Sequence, residues 1–160
     1  MRLFGLEPAN ATGYKVIVHE IEPAVVYRDS NVVVEAIPVK HGSWPHAFGY
    51  KFRTPDKTIV ISGDTSPVES IVEACNGCDL LIHEVYSAEQ FQKRSPVRQR
   101  YHASFHTSTT ELARIASRAK PNLLILYPQL FWGATEEELL NEIRARYRGK
   151  VISGRDLEVF

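Results

Sequence analysis

Asp64, His83, Glu84 and His106 each fall beside the end of an apolar, strand-like run or beside a helix-start signature. Thr58-Ile59-Val60-Ile61 breaks into Ser62-Gly63-Asp64-Thr65, and Leu80-Leu81-Ile82 breaks into His83-Glu84. His106 directly precedes Thr107 and the run Ser108-Thr109-Thr110-Glu111, which has the form of a capping box. A carboxylate in contact with an imidazole orients the ring and holds it ready to give a proton. The free amides and hydroxyls of a helix start offer a seat for a phosphate or carboxylate oxygen. These residue types therefore suit proton transfer beside a bound phosphate or carboxylate oxygen, with a contact between Glu84 and His106 as the group that would hold the proton. Asp64 has a plainer alternative as a turn or capping aspartate, and His106 as a satisfied structural histidine. Burying either member of His83-Glu84 unpaired would be costly, so each is expected to find a partner.

For these groups to meet, strands must carry them to one edge of one sheet. Gly63 permits a backbone conformation that a side chain would resist, which lets Asp64 project past its strand. In open α/β folds the edge beyond the carboxyl ends of strands is where ligands bind. Ser66-Pro67-Val68-Glu69, Ser87-Ala88-Glu89-Gln90 and Thr135-Glu136-Glu137-Glu138 predict further helix starts. The second half thus reads as a helix from Pro67 to Cys75, a strand from Leu80 to His83, a short helix from Ala88 and a helix from Thr109 to Ala119. A strand from Leu123 to Tyr127 and a helix from Glu136 to Tyr147 follow. In the first half, β-branched and aromatic runs at Tyr14 to Val18, Ala24 to Tyr27, Asn31 to Val39 and Phe48 to Phe52 predict successive hairpins. The nearly continuous apolar run from Val32 to Val39 predicts a central strand covered on both faces. A last hairpin is expected to pair Val151-Ile152-Ser153 with Leu157-Glu158-Val159-Phe160. The segment from Gln92 to Ser104 reads as a polar loop.

Several other groups carry weaker signals. His102 and His106 stand four apart, a metal-ligand spacing on a helix, but the helix start at Ser108 places both in the preceding loop. His41 and His46 bracket Gly42-Ser43-Trp44-Pro45, read equally as a loop facing a pocket or as a plain turn. Lys93, Arg94, Arg98 and Arg100 put four cations in eight residues without an acid. Such a run suits a phosphodiester backbone or a solvated loop. Arg144, Arg146, Arg148 and Lys150 flank a helix C-terminus, where the helix dipole favours cations. Cys75 and Cys78 form one isolated C-x-x-C at a helix exit with Gly77 as its stop, so plain packing cysteines are expected.

At 160 residues, 44% hydrophobic and 24% charged, the chain suffices for one globular domain spanning residues 1–160. Nineteen basic and nineteen acidic side chains cancel, so any polyanion binding must be local. No apolar run approaches membrane-spanning length and the first residues are too polar for a secretory signal, which predicts a cytoplasmic protein with no membrane partner.

His41 with Gly49-Tyr50, then Ser62-Gly63-Asp64-Thr65, Leu81-Ile82-His83-Glu84, His106-Thr107-Ser108 and the strand before Tyr127 follow one another in a familiar order. The chain resembles metallo-β-lactamase-fold hydrolases, particularly those similar to ribonuclease Z, over roughly the carboxyl-terminal half of that fold. The resemblance implies an α/β fold, half of an αβ/βα sandwich, with a mixed sheet and helices on one face. It also implies phosphodiester or related ester hydrolysis by a two-zinc activated water. Asp64 matches the aspartate that bridges the metals, Glu84 and His106 match the proton-donating pair, and His41, His83, Thr107 and Ser108 match the substrate-binding side. Two departures accompany this. The sequence contains no His-x-His-x-Asp-His cluster, and Pro128-Gln129 stand where the last histidine ligand is expected. Three readings follow: part of a hydrolase whose amino-terminal half lies elsewhere, a non-catalytic relic domain that binds a ligand or partner, or a shortened product covered by homo-oligomerisation.

Overall fold

The computed structural model describes residues 18–159. Seven strands form one mixed sheet whose spatial order follows the chain: β1 (Val25–Arg28), β2 (Val33–His41), β3 (Trp44–Arg53), β4 (Thr58–Ile61), β5 (Leu80–Tyr86), β6 (Leu123–Leu130) and β7 (Val151–Ser153). Short turns make β1 to β4 antiparallel, whereas β4 to β7 run parallel. Parallel neighbours need crossovers, and helices supply them. α1 (Glu69–Cys75) separates β4 from β5, and α2 (Ala88–Gln92), α3 (Pro96–Phe105) and α4 (Thr109–Ala119) separate β5 from β6. α5 (Glu136–Arg144) leads into β7.

The parallel strands are apolar at successive positions because both faces of the sheet want covering. Val60, Leu81, Leu124 and Leu126 meet Ile71 of α1, Leu112 and Ala116 of α4, and Leu139 and Ile143 of α5 in one core. Each of these leucines and isoleucines is fully buried, a stabilisation of roughly 1.5–3 kcal/mol per side chain. The alternate residues form two rows on the other face: Tyr50, Ile61, Ile82, Ile125 and Ile152, then Phe52, Ile59, Leu80 and Leu123. All of these except Ile125 are only half-buried. The fold is therefore α/β, with α1, α4 and α5 gathered on one face of a mixed sheet, as half of a sandwich requires.

Several expectations are corrected. The strand carrying Val33 to Val39 lies next to the β1 edge, and β4 holds the middle of the sheet. Ser66 does not cap α1: its hydroxyl donates to Lys40 O at 3.2 Å, and the N-cap is Val68, which makes no side-chain cap bond. The stretch read as a polar loop contains α3, capped by Ser95 with Pro96 in the first turn. It buries no residue, and its sparse row of Val97, Tyr101 and Phe105 falls short of the wide apolar stripe of a packed helix. Cys75 and Cys78 are joined in a disulfide within the core. Asn76 and Gly77, with φ of 35° and 84°, turn the chain back and return Cys78 to the last turn of α1. After β7 the chain turns without a second hairpin strand through residue 159. The strand expected from Tyr14 lies largely outside the described residues, and Val18 belongs to no strand.

Candidate active site

β4 delivers the first group. Ser62 N donates to Ile82 O at 2.9 Å, extending the β4–β5 pairing by one residue. Gly63 then turns the chain with φ of +60°, and a Cβ there would lie 2.9 Å from the Phe48 carbonyl oxygen. Only glycine fits without strain. Asp64 consequently stands exposed at the rim, while Thr65 is fully buried beneath it.

β5 delivers the next pair in opposite directions, as alternation along a strand dictates. His83, two residues on from Leu81, is fully buried. Its Nδ1 lies 2.6 Å from Glu84 O. A carbonyl only accepts, so Nδ1 carries the hydrogen and Nε2 is left as a lone-pair acceptor. Nε2 is buried and has no partner among the described residues. Burial pushes the His83 pKa down to about 4, against the carbonyl contact, which favours the charged ring. With no exposed surface, His83 presents nothing to a substrate; Glu84, on the opposite side of the strand, is the member that faces His106.

Glu84 is 1% exposed, and its Oε1 accepts from Thr107 N at 2.9 Å and Thr65 N at 3.3 Å. Its own N donates to Ser62 Oγ at 3.2 Å. The Nδ1 of His106 lies 3.5 Å from the same Oε1, within ion-pair reach but longer than a good hydrogen bond. Burial raises the Glu84 pKa against the opposing effects of His106 and the two amides. The Glu84 carboxylate in turn raises the His106 pKa, burial opposes this, and the charge of Asp64 adds to the rise. Both directions favour a proton held by the pair, as a general acid requires.

His106 is held from both sides. Its N donates to His102 O at 2.8 Å to close α3, and its extended backbone then passes the chain to α4. Thr107 Oγ1 donates to Thr65 O at 2.7 Å, and Tyr86 N donates to Thr107 O at 3.0 Å. Ser108 caps α4 reciprocally with Glu111. Both hydroxyls expected to meet a ligand are thus engaged within the protein. His41, at the end of β2, donates from Nδ1 to Phe105 O at 3.0 Å, and its ring centre is 5.5 Å from that of His106. His102, read as a loop residue, lies on the last turn of α3, with its ring 5.9 Å from His106. His106 and His41 therefore meet at one rim that the charge of Asp64 reaches, with Glu84 buried against His106 and His83 behind it in the core. Sequence reasoning missed Trp132 and placed His102 in a loop; their rings are 4.4 Å apart, an approach that depends on α3 being a helix. The Ser95-Pro96 start was the one signal that could have revealed it.

The donor set does not make a zinc site by itself. Among the described residues no three His, Cys, Asp or Glu side chains group to hold a metal ion. Gln129, in the place of a final histidine, commits its amide nitrogen to Leu126 O, Ser153 Oγ and Gly154 O at 2.7, 2.8 and 2.9 Å.

Residues 3–127 match the beta-lactamase superfamily domain. The chain belongs to this family and has the metallo-β-lactamase fold. Within it the chain is similar to ribonuclease Z of Haloarcula marismortui, 32% identical over 103 residues, covering 64% of this chain and 31% of that protein. To ribonuclease Z of Mycobacterium tuberculosis it is 24% identical over 142 residues, covering 88% of this chain and 52% of the relative. The crystal structure of human tRNase Z, short form, superposes with a TM-score of 0.54 at 27% identity, covering 66% of this chain and 38% of that one. The metallo-β-lactamase fold protein YhfI of Bacillus subtilis shares the fold at a TM-score of 0.68 and 19% identity, covering 84% and 52% of the two chains. The chain thus spans about half or less of these relatives.

Proposed function

We propose that this chain carries the proton-donating side of a metal-dependent phosphodiesterase site. The carrying observation is the buried Glu84 carboxylate, held by two backbone amides and set 3.5 Å from a rim imidazole. In this reading His106 gives its proton to the leaving oxygen, and Glu84 orients the ring and stabilises its charged form. Asp64 would hold metal, and bound zinc would supply the activated water. The described residues fall short of that ligand set, so the remaining ligands must come from another polypeptide segment. His41 keeps a substrate-contacting role, while His83, Thr107 and Ser108 form the frame behind Glu84. RNA is the substrate that the names of the ribonuclease Z relatives suggest. The reading includes a covering layer for the half-buried apolar face, a missing half or a second copy of the chain. It also includes a cytoplasmic location; no helix among the described residues is long and apolar enough to cross a membrane.

The test is zinc-dependent hydrolysis of an activated phosphodiester by the chain joined with a segment that supplies the remaining ligands. General acid–base groups contribute roughly 100- to 10,000-fold. Glu84→Ala and His106→Ala are each expected to lose activity on that scale, and a loss below about tenfold would make the pair structural. A second reading, a non-catalytic relic that binds a ligand, is favoured by the committed amide of Gln129. Purified chain that holds no zinc, hydrolyses nothing and still binds polynucleotide would decide for it.

A further inference from the structure

We propose that the surface beside His106 is a stacking platform for unpaired bases of a single-stranded polynucleotide, with Trp44 and Tyr101 as its open faces. The proposal rests on the phosphodiesterase reading and names what flanks the scissile phosphate. Trp44 is 66% exposed and Tyr101 55% exposed. They belong to one continuous ring series: Trp44 to His41 at 6.2 Å, His41 to Phe105 at 4.9 Å, and Phe105 stacked on Tyr101 at 4.6 Å. Val97, Tyr101 and Phe105 recur every four residues, which lines them along one side of α3. Isolated exposed aromatics need no explanation, but a contiguous series next to a catalytic rim does.

The hairpin tip and α3 are built to stay together. Gly42 N donates to Ser104 O at 2.9 Å, and a Cβ on Gly42 would sit 2.1 Å from the Phe105 ring. Gly42 therefore lets the β2–β3 turn press against that ring and fixes Trp44 relative to Tyr101. A hollow lined by Lys40, Ser43, Ser66 and Ser104 opens beside Phe105, polar enough for a sugar or phosphate.

Charge selects the occupant. Residues 90–110 hold Lys93, Arg94, Arg98 and Arg100 and no acid, in a chain whose net charge is zero. The Arg94 guanidinium lies 5.1 Å from the Trp132 ring centre and donates to Trp132 O at 3.1 Å, so it is already ordered. Aromatic faces interleaved with cations are how proteins hold single strands without reading sequence, because every base has a π-face. A duplex keeps its bases stacked inside and cannot use these rings.

The experiment is titration of the full chain with poly(A), read by tryptophan fluorescence, alongside tripolyphosphate as a base-free polyanion and a poly(A)·poly(U) duplex. Trp44→Ala and Tyr101→Ala are each expected to weaken poly(A) binding about 5- to 150-fold, the range for one base–aromatic stack. They should leave tripolyphosphate affinity unchanged, and Trp44→Phe should restore most of the poly(A) affinity. Arg98→Gln should weaken poly(A) and tripolyphosphate together and flatten the salt dependence. Wild-type poly(A) affinity in either alanine variant, or duplex binding as tight as poly(A), would overturn the platform. A phosphodiester hydrolysis assay run beside the titrations separates the two readings. Retained aromatic dependence without any phosphodiester hydrolysis in the wild type removes the hydrolase alone; hydrolysis without aromatic dependence removes the platform alone.

Discussion

The two sides of the rim are built to very different standards. On the β5 side, Glu84 is sealed from water and fastened to Thr65 and Thr107 by backbone amides. On the side where metal would sit, Asp64 is exposed and Gln129 is turned inward to bridge β6 and the end of β7. On the proposed reading the proton-handling half is part of the folding core, whereas the metal-holding half lies at the surface. Function and stability are therefore coupled at Glu84 and separable at Asp64. The largest expected effect follows. Glu84→Ala strands two buried amides and the His106 imidazole, a loss of about 3–5 kcal/mol for an unpaired buried network. Urea unfolding measures it, and a cost below that of an ordinary surface substitution would erase the contrast.

His83 extends the built side into the core, and its expected effect is pH-dependent. Its folded pKa of about 4 lies below the ordinary 6.5, so the unfolded chain binds the proton more readily between those values. The stabilisation is complete above about pH 6.5 and is lost as pH falls toward 4, on the order of 3 kcal/mol in all. Unfolding midpoints followed across that window should decline in the wild type. In His83→Asn, whose amide can still donate to the Glu84 carbonyl, the slope should flatten. An unchanged slope would place the titrating group elsewhere.

The same contrast governs what could be read from the amino acids alone. Features written in backbone chemistry were legible: the capping boxes at Ser108 and Thr135 start α4 and α5 as read, and Gly63 turns with positive φ. The four parallel-sheet strands also stood out, because each is a short run with apolar residues on both faces. α3 was missed because it buries no residue and its single row of Val97, Tyr101 and Phe105 is too sparse to stand out, so the cation-rich run looked like a loop. Ser66-Pro67 and Ser95-Pro96 carry one local signal with two outcomes. The first is captured by a bridge to Lys40 and the second starts a helix. Tertiary pairing decided between them, and no local reading contains it. The partner of Glu84 was foreseeable in kind, since a buried acid at a strand end needs donors. That those donors would be the amides of Thr65 and Thr107 depended on the register of two loops.

Gly63 joins the two sides, and its substitution should cost less than that of Glu84. Alanine there must adopt φ near +60° and meet a backbone carbonyl at 2.9 Å, for which about 1–3 kcal/mol is the scale of local strain. Relief of that strain would swing Asp64 away from His106, so the variant should also lower the His106 pKa. A Gly63→Ala protein with wild-type stability would show that the turn is adjustable.

The smallest stability effect is the most informative about function. Asp64 is exposed, and removing an exposed side chain changes stability by no more than about 0.5 kcal/mol. Yet its charge reaches His106, where it adds to the rise that Glu84 causes. Asp64→Ala should therefore leave the unfolding curve in place and lower the His106 pKa, by less than Glu84→Gln does, as followed by the imidazole proton resonances. If Asp64→Ala destabilised the fold by several kcal/mol while His106 titrated as before, the aspartate would be a structural turn residue. The two sides of the rim would then have nothing chemical to share.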